Sequence, residues 1–263
     1  ISIAHLVYLP QVPAFGFTIF GVILSIFLGF KNNACYDRWW EGRKLWGNLI
    51  ANIRHLDRET LVLKSDRRER VLSNVILFTA LLRDRLRYQT AHPTEFLEFE
   101  HLDDAEKQHI HTHLNPPQYT LNLIQKELVD ALQQGEISDI VYGIIVQHII
   151  ELGNVQAGCD RIASTPLPYS YSVLLNRAVY FFCLILPFSL PSVLGLWTPL
   201  LIGLIAYLFL GLDALSSQLE EPFGTQDNDL PLDSMVRLIE RELLTAMGKD
   251  APPALHAEQH RLL

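Results

Sequence analysis

The sequence predicts an all-α integral membrane protein, and three observations carry that prediction. Residues 14–30, AFGFTIFGVILSIFLGF, hold no charged side chain, and neither does any residue from Ala178 to Leu212. Between these runs the chain is rich in charge and in helix formers, with apolar residues recurring at helical spacing.

Taken in order, the chain opens on ISIAHLVYLPQVP, which is uncharged apart from His5 and carries Pro10 and Pro13. This predicts a loop or short interfacial segment leading into the first apolar run. At about 1.5 Å per residue that run nearly crosses a hydrocarbon core of about 30 Å. Helices are predicted near residues 34–65, 67–90, 118–134 and 137–163. A polar excursion with prolines near its ends, AHPTEFLEFEHLDDAEKQHIHTHLNPPQ, falls among them. IVYGIIVQHIIELGNVQ is apolar on almost every face, which suits a helix buried in an assembly or lining something.

The second apolar run exceeds the roughly 20 residues of one span. Pro187, Pro191, Gly195 and Pro199 interrupt it. The economical reading is a helical hairpin: one helix over Tyr171–Phe188, a turn near Leu190–Leu196 and a second helix to about Leu215. Trp197 and Tyr180 suit membrane interfaces, and Arg177 would snorkel from the inner end of the first helix. Asp233 would cap a final amphipathic helix, and KDAPPALHAEQHRLL forms a loosely ordered tail. The expected organisation is thus a membrane helix with its lead-in (1–30), a helical region (31–170), a membrane hairpin (171–215) and a C-terminal turn, helix and tail (216–263).

The net charge of −8 argues against a nucleic-acid partner bound by phosphate neutralisation, and gives cations a favourable average field. The three cysteines include no CxxC pair, so no disulfide framework is expected and the bulk of the chain should face a reducing compartment. Lys31, Arg38, Arg43 and Lys44 follow the first run, and Arg177 precedes the hairpin. The positive-inside tendency places the middle region in the cytoplasm. Parity then predicts one further membrane helix before Ile1.

Val22, Ile26 and Phe30 recur every four residues and share one helix face. From the residues alone this is either a packing stripe or a narrow apolar constriction of the kind that gates ions by dewetting. A constriction needs several copies around an axis. The NNACYDRWW that follows supplies either interfacial anchors or a polar vestibule. Asp37 and Glu41 lie on one face, and Arg38 is expected to pair with one of them. EEPFGTQDNDLPLD is a solvated acidic turn or, lacking EF-hand spacing, an irregular site for a divalent cation. His109, His111 and His113 could meet a metal on a strand but diverge on a helix. There is no GxSxG, P-loop, HExxH or GxGxxG followed by an acid, and Cys159 has no base beside it, so neither an enzyme nor a cofactor is expected.

Three stretches together, FLGFKNNACYDRWW (27–40), RIASTPLPYSYSVLLNRAVYFF (161–182) and EEPFGTQDNDLPLD (220–233), resemble the bestrophins in their bacterial form. The resemblance implies a homopentamer in a bacterial inner membrane, each subunit with four membrane helices and a large cytosolic helical region around one axial ion pore. It implies a pore neck at Val22, Ile26 and Phe30. A second, cytosolic restriction falls at Ile140, with Ile137 as the alternative register. Asn32, Asn33, Asp37 and Asp139 are candidate vestibule residues. Animal bestrophins are calcium-activated chloride channels with an acidic clasp after PFG. This chain keeps only Asp227 and Asp229 of that clasp, which removes calcium gating from what the resemblance implies and leaves those two as the candidates for a divalent ion. The expected function is passive conduction of monovalent ions, Na⁺ ahead of chloride because of the acidic cytosolic region. The rival is a membrane-anchored interaction protein that does not conduct.

Overall fold

The computed structural model describes residues 14–87, 102–189 and 197–255. The lead-in before residue 14, the turn at Leu190–Leu196, part of the polar excursion and the end of the tail lie outside the described residues. Among those described, the secondary structure is wholly helical. The elements are α1 (Ala14–Glu59), a 3-10 turn (Thr60–Val62), α2 (Ser65–Leu86), α3 (Asp104–Thr112), α4 (Pro116–Gln133), α5 (Asp139–Ser164), α6 (Tyr169–Ser189), α7 (Thr198–Glu220) and α8 (Leu232–Ala246).

The two helices expected near 14–30 and 34–65 are one. α1 runs unbroken for 46 residues, about 70 Å at the standard rise. The composition changes at Lys31, but no proline interrupts the stretch and a switch from apolar to polar side chains does not end a helix. Among the described residues, three helices are long and apolar enough to cross a membrane: α1 through its N-terminal part, α6 and α7.

The chain divides into two units, one of residues up to Trp39 with Pro166–Glu221, the other of Trp40–Thr165 with Pro222 onward. In the first, Leu24 and Leu28 of α1 pack with Leu175, Val179, Phe182 and Leu186 of α6. Phe17 stacks on Phe182, ring centroids 4.5 Å apart, and Phe209 of α7 approaches the same ring at 5.2 Å. Between lipid-embedded helices such contacts supply van der Waals packing rather than a hydrophobic drive, because lipid is as apolar as leucine. Polar ties between these helices therefore carry more of the specificity.

In the second unit α2 is the central element. Val71 to Thr79 are all buried, and α2 packs against α4, α8 and α5. The end of α4 illustrates the local logic. Gly135 takes φ +66°, a left-handed conformation that a Cβ would resist. It lets the Gly135 N–H reach the Leu132 carbonyl and the Glu136 N–H reach that of Ala131, the two bonds of a Schellman cap. That cap delivers Glu136 to α2, where its carboxylate accepts from the Lys64 N–H at 2.6 Å and from Arg67 Nε at 3.2 Å.

Burial alone would raise the Glu136 carboxyl, but the Lys64 N–H and the Arg67 guanidinium outweigh it and hold it below the ordinary glutamate range. A depressed folded-state value stabilises the fold above the ordinary value, and that contribution is lost as pH falls through the depressed one. Thermal unfolding is expected to be insensitive to this group above about pH 5 and to lose its contribution below that. Glu136→Gln should flatten that acid limb, and an unchanged acid limb would refute the assignment.

Two expectations are corrected here. Asp233 does not cap α8. The N-cap position is Pro231, without a side-chain bond, and Asp233 sits in the first turn. Its carboxylate takes Arg83 at 3.0 Å and Arg87 at 2.6 Å, a charge-assisted pairing that outcompetes a backbone cap. The polar excursion contains a helix, α3, opened by a capping box in which Asp103 accepts from the Glu106 N–H at 2.6 Å and the Glu106 side chain returns to the Asp103 N–H. The three histidines, expected to diverge on a helix, do so only in part: His109 and His113, at the helix C-cap, share a side with ring centroids 6.2 Å apart, while His111 lies two residues from each.

Candidate functional site

α1 carries two stripes around its N-terminal half. Leu24, Leu28, Lys31 and Cys35 are buried at spacings of four, three and four. Val22, Ile26 and Phe30 are 54%, 51% and 62% exposed, so the second stripe is not covered by its own chain. With about 100° between successive residues, Lys31 points well away from Phe30. The exposed stripe continues through Asn33 to Asp37, three and seven residues beyond Phe30.

The buried stripe is tied by polar bonds. Lys31 Nζ donates to Asp213 Oδ1 of α7 at 2.8 Å, and Asn176 Nδ2 of α6 donates to Asp213 Oδ2 at 3.2 Å. Tyr171 of α6 donates its hydroxyl to the Phe27 carbonyl at 3.2 Å. Ser216 of α7 donates to Asn32 Oδ1 at 3.3 Å, and Arg38 Nε donates to the Glu220 carbonyl at 3.1 Å. Asn32 therefore turns toward α7, away from the face that Phe30 shares with Asn33 and Asp37.

In the second unit, α5 begins at Asp139, capped by Ser138, whose Oγ accepts from the Val141 N–H at 3.4 Å. Ile140 is 77% exposed, whereas Ile137 is buried in the core. Of the two registers only Ile140 leaves its side chain open. Ile144 continues that exposed face, and Ile145, Ile149, Leu152, Val155 and Cys159 form the buried one. Burial pushes the Cys159 thiol up to about 12, which disqualifies it as a nucleophile. Glu41, one of the two carboxylates offered as partners of Arg38, pairs with Arg161.

The Pro222–Pro231 turn is closed from within. The Leu230 N–H reaches the Pro222 carbonyl at 2.8 Å, and Asp229 Oδ2 accepts from the Gln226 N–H at 2.7 Å. Phe223 is buried beside Gly42, where a Cβ would stand 3.1 Å from the ring. The glycine is what allows the PFG turn to seat on α1. Asp227 is exposed on the same turn. Asp229 thus has a structural task in closing the turn, and no ion is needed to account for its position.

Over residues 2–245 the sequence matches the family model of the bacterial and fungal bestrophin proteins. The chain belongs to the bestrophin family. It is 40% identical over 263 residues to the voltage-dependent anion channel-forming protein YneE of Salmonella typhi, covering 97% of this chain and 86% of that one. A voltage-dependent anion channel-forming protein of Mesorhizobium japonicum is 40% identical over 245 residues, 92% of this chain and 78% of that protein. The crystal structure of a bacterial bestrophin homologue from Klebsiella pneumoniae superposes with a TM-score of 0.87 at 37% identity, covering 92% of this chain and 90% of that one. Bestrophins form channels and are not enzymes, and this bestrophin is accordingly a membrane ion-channel protein.

Reading the bestrophin chain by residue type missed the ties around α1. Asp213 stands alone at the end of a long uncharged run, and Lys31 is the first charge after another. An ionisable residue at the edge of a span, with its partner unnamed, was the available signal.

Proposed function

We propose that this bestrophin conducts monovalent ions passively through an axial pore assembled from five copies in a bacterial inner membrane. The exposed stripe of Val22, Ile26 and Phe30 carries the proposal: three large apolar side chains at a spacing of four, left uncovered by their own chain, on a helix able to cross a membrane. Repeated around an axis they make a neck that excludes bulk water and sets conductance by its width. Asn33 and Asp37 form the floor below it, and Ile140 forms a separate restriction in the helical unit, which lies in the cytoplasm.

An apolar neck has no fixed charge with which to choose a sign. The choice falls to polar residues, and Asp139 beside Ile140, with the overall charge of −8, favours cations, Na⁺ first. A second reading rests on the relatives at 40% identity, which are named as forming anion channels. Purified protein in a planar bilayer under a NaCl gradient is expected to reverse near the Na⁺ equilibrium potential, and Asp139→Asn to move that potential toward zero. Reversal near the chloride potential overturns the cation assignment in favour of the second reading. Absence of any ion flux from loaded liposomes overturns conduction itself.

A further inference from the structure

We propose that the buried Lys31–Asp213–Asn176 knot is the positioning element of the neck. It holds α1 at the rotation that turns Phe30 into the pathway, so that a charge pair off the pore sets the width of an apolar constriction. This rests on the reading of Phe30 as a neck residue.

Lys31 follows Phe30 directly, which places its side chain about 100° around the helix. Its side chain is 2% exposed and that of its partner Asp213 9% exposed. Asp213 takes Lys31 on one oxygen and Asn176 on the other, so one carboxylate joins α1, α6 and α7. Polar ties bracket the same stretch, with Tyr171 on the Phe27 carbonyl above it, Ser216 on Asn32 and Arg38 on the Glu220 carbonyl below. Apolar packing of Leu24 and Leu28 against α6 tolerates small rotations, because leucine meets leucine or lipid at nearly equal free energy. A hydrogen-bonded ion pair does not, since turning α1 would separate two buried charges with no water to receive them. The directional bond, rather than the apolar seam, therefore fixes which face of α1 is presented at Phe30.

Stability and position separate experimentally. Lys31→Met alone strands the Asp213 carboxylate and is expected to lower thermal stability. Lys31→Met/Asp213→Leu removes both charges, and replacing a buried pair by apolar side chains commonly restores stability. If the knot only held the fold together, conductance would return with stability. As a positioning element it does not: the double variant, eluting as the wild-type oligomer and melting near it, is expected to show a unitary conductance shifted by about threefold or more, an effect lost in a Phe30→Ala background because the two sites act through one side chain. Wild-type conductance in the stable double variant, or the same fold-shift with and without Phe30, overturns the proposal. If Phe30→Ala itself leaves conductance unchanged, the neck reading fails instead, and the two failures are thus told apart.

Discussion

Phe30→Ala is expected to raise the unitary conductance of the reconstituted channel by about threefold or more, with little loss of thermal stability; a conductance ratio of ten corresponds to about 1.4 kcal/mol of barrier. The two readouts move in opposite ways for the two readings of the Val22, Ile26 and Phe30 stripe. A phenylalanine packed in a core costs about 3–5 kcal/mol when cut to alanine, because its cavity persists. Phe30 is 62% exposed on its own chain, so little intrachain packing is lost. If it fills a contact between copies, the variant dissociates or melts early and any surviving channels conduct as before. If it narrows a pathway, the methyl left behind admits water where the ring excluded it, and the dewetting barrier falls. Single-channel recording beside thermal size-exclusion measures both. Unchanged conductance with a lowered melting temperature would return the stripe to packing.

The stripe itself was legible because it is a local pattern: spacing of four on one helix needs no tertiary knowledge. Family membership was legible for the same reason, from motifs such as FLGFKNNACYDRWW that stand in one piece. What the residues did not disclose is long-range. Lys31 follows an uncharged run and reads as one of the positive-inside charges, yet it is buried against an aspartate 182 residues away. Glu41 has its partner 120 residues on, at Arg161. Asp233 has the right type and place for a helix cap, but Arg83 of α2 and Arg87 at its C-cap reach it first. The continuity of α1 was hidden differently. A change from lipid-compatible to water-compatible side chains changes the surroundings that suit a helix, not its backbone. Without proline in the stretch, the backbone hydrogen bonds carry on through the boundary.

Arg67 is where substitution should cost the second unit most. Its side chain is 8% exposed, and its guanidinium spends every nitrogen on the last turns of α4 and the cap that follows. Nε goes to Glu136 at 3.2 Å, Nη1 to the Glu127 carbonyl and carboxylate at 2.9 and 3.0 Å, and Nη2 to the Gln134 side chain at 3.0 Å. Arg67→Met keeps much of the volume and removes the charge. Glu136, 5% exposed, then keeps the Lys64 N–H as its hydrogen-bond partner and the Lys64 ammonium, 3.8 Å away, as its charge partner. Removing one member of a buried pair costs about 3–5 kcal/mol, and for a unit of this size the melting temperature should fall on the order of 10 °C. Arg70 provides the contrast. It shares Glu127, but its side chain is 32% exposed, so solvent can replace much of what it gives and Arg70→Met should cost only about 1 kcal/mol. The decisive variant is Arg67→Met/Glu136→Met. Were the pair a net source of stability, losing both charges would cost at least as much as losing one. Because desolvation offsets most of the Coulombic gain in a buried pair, the double variant should instead recover a large part of the loss. A double variant no more stable than Arg67→Met would mean that the pair contributes net stability beyond merely neutralising Glu136.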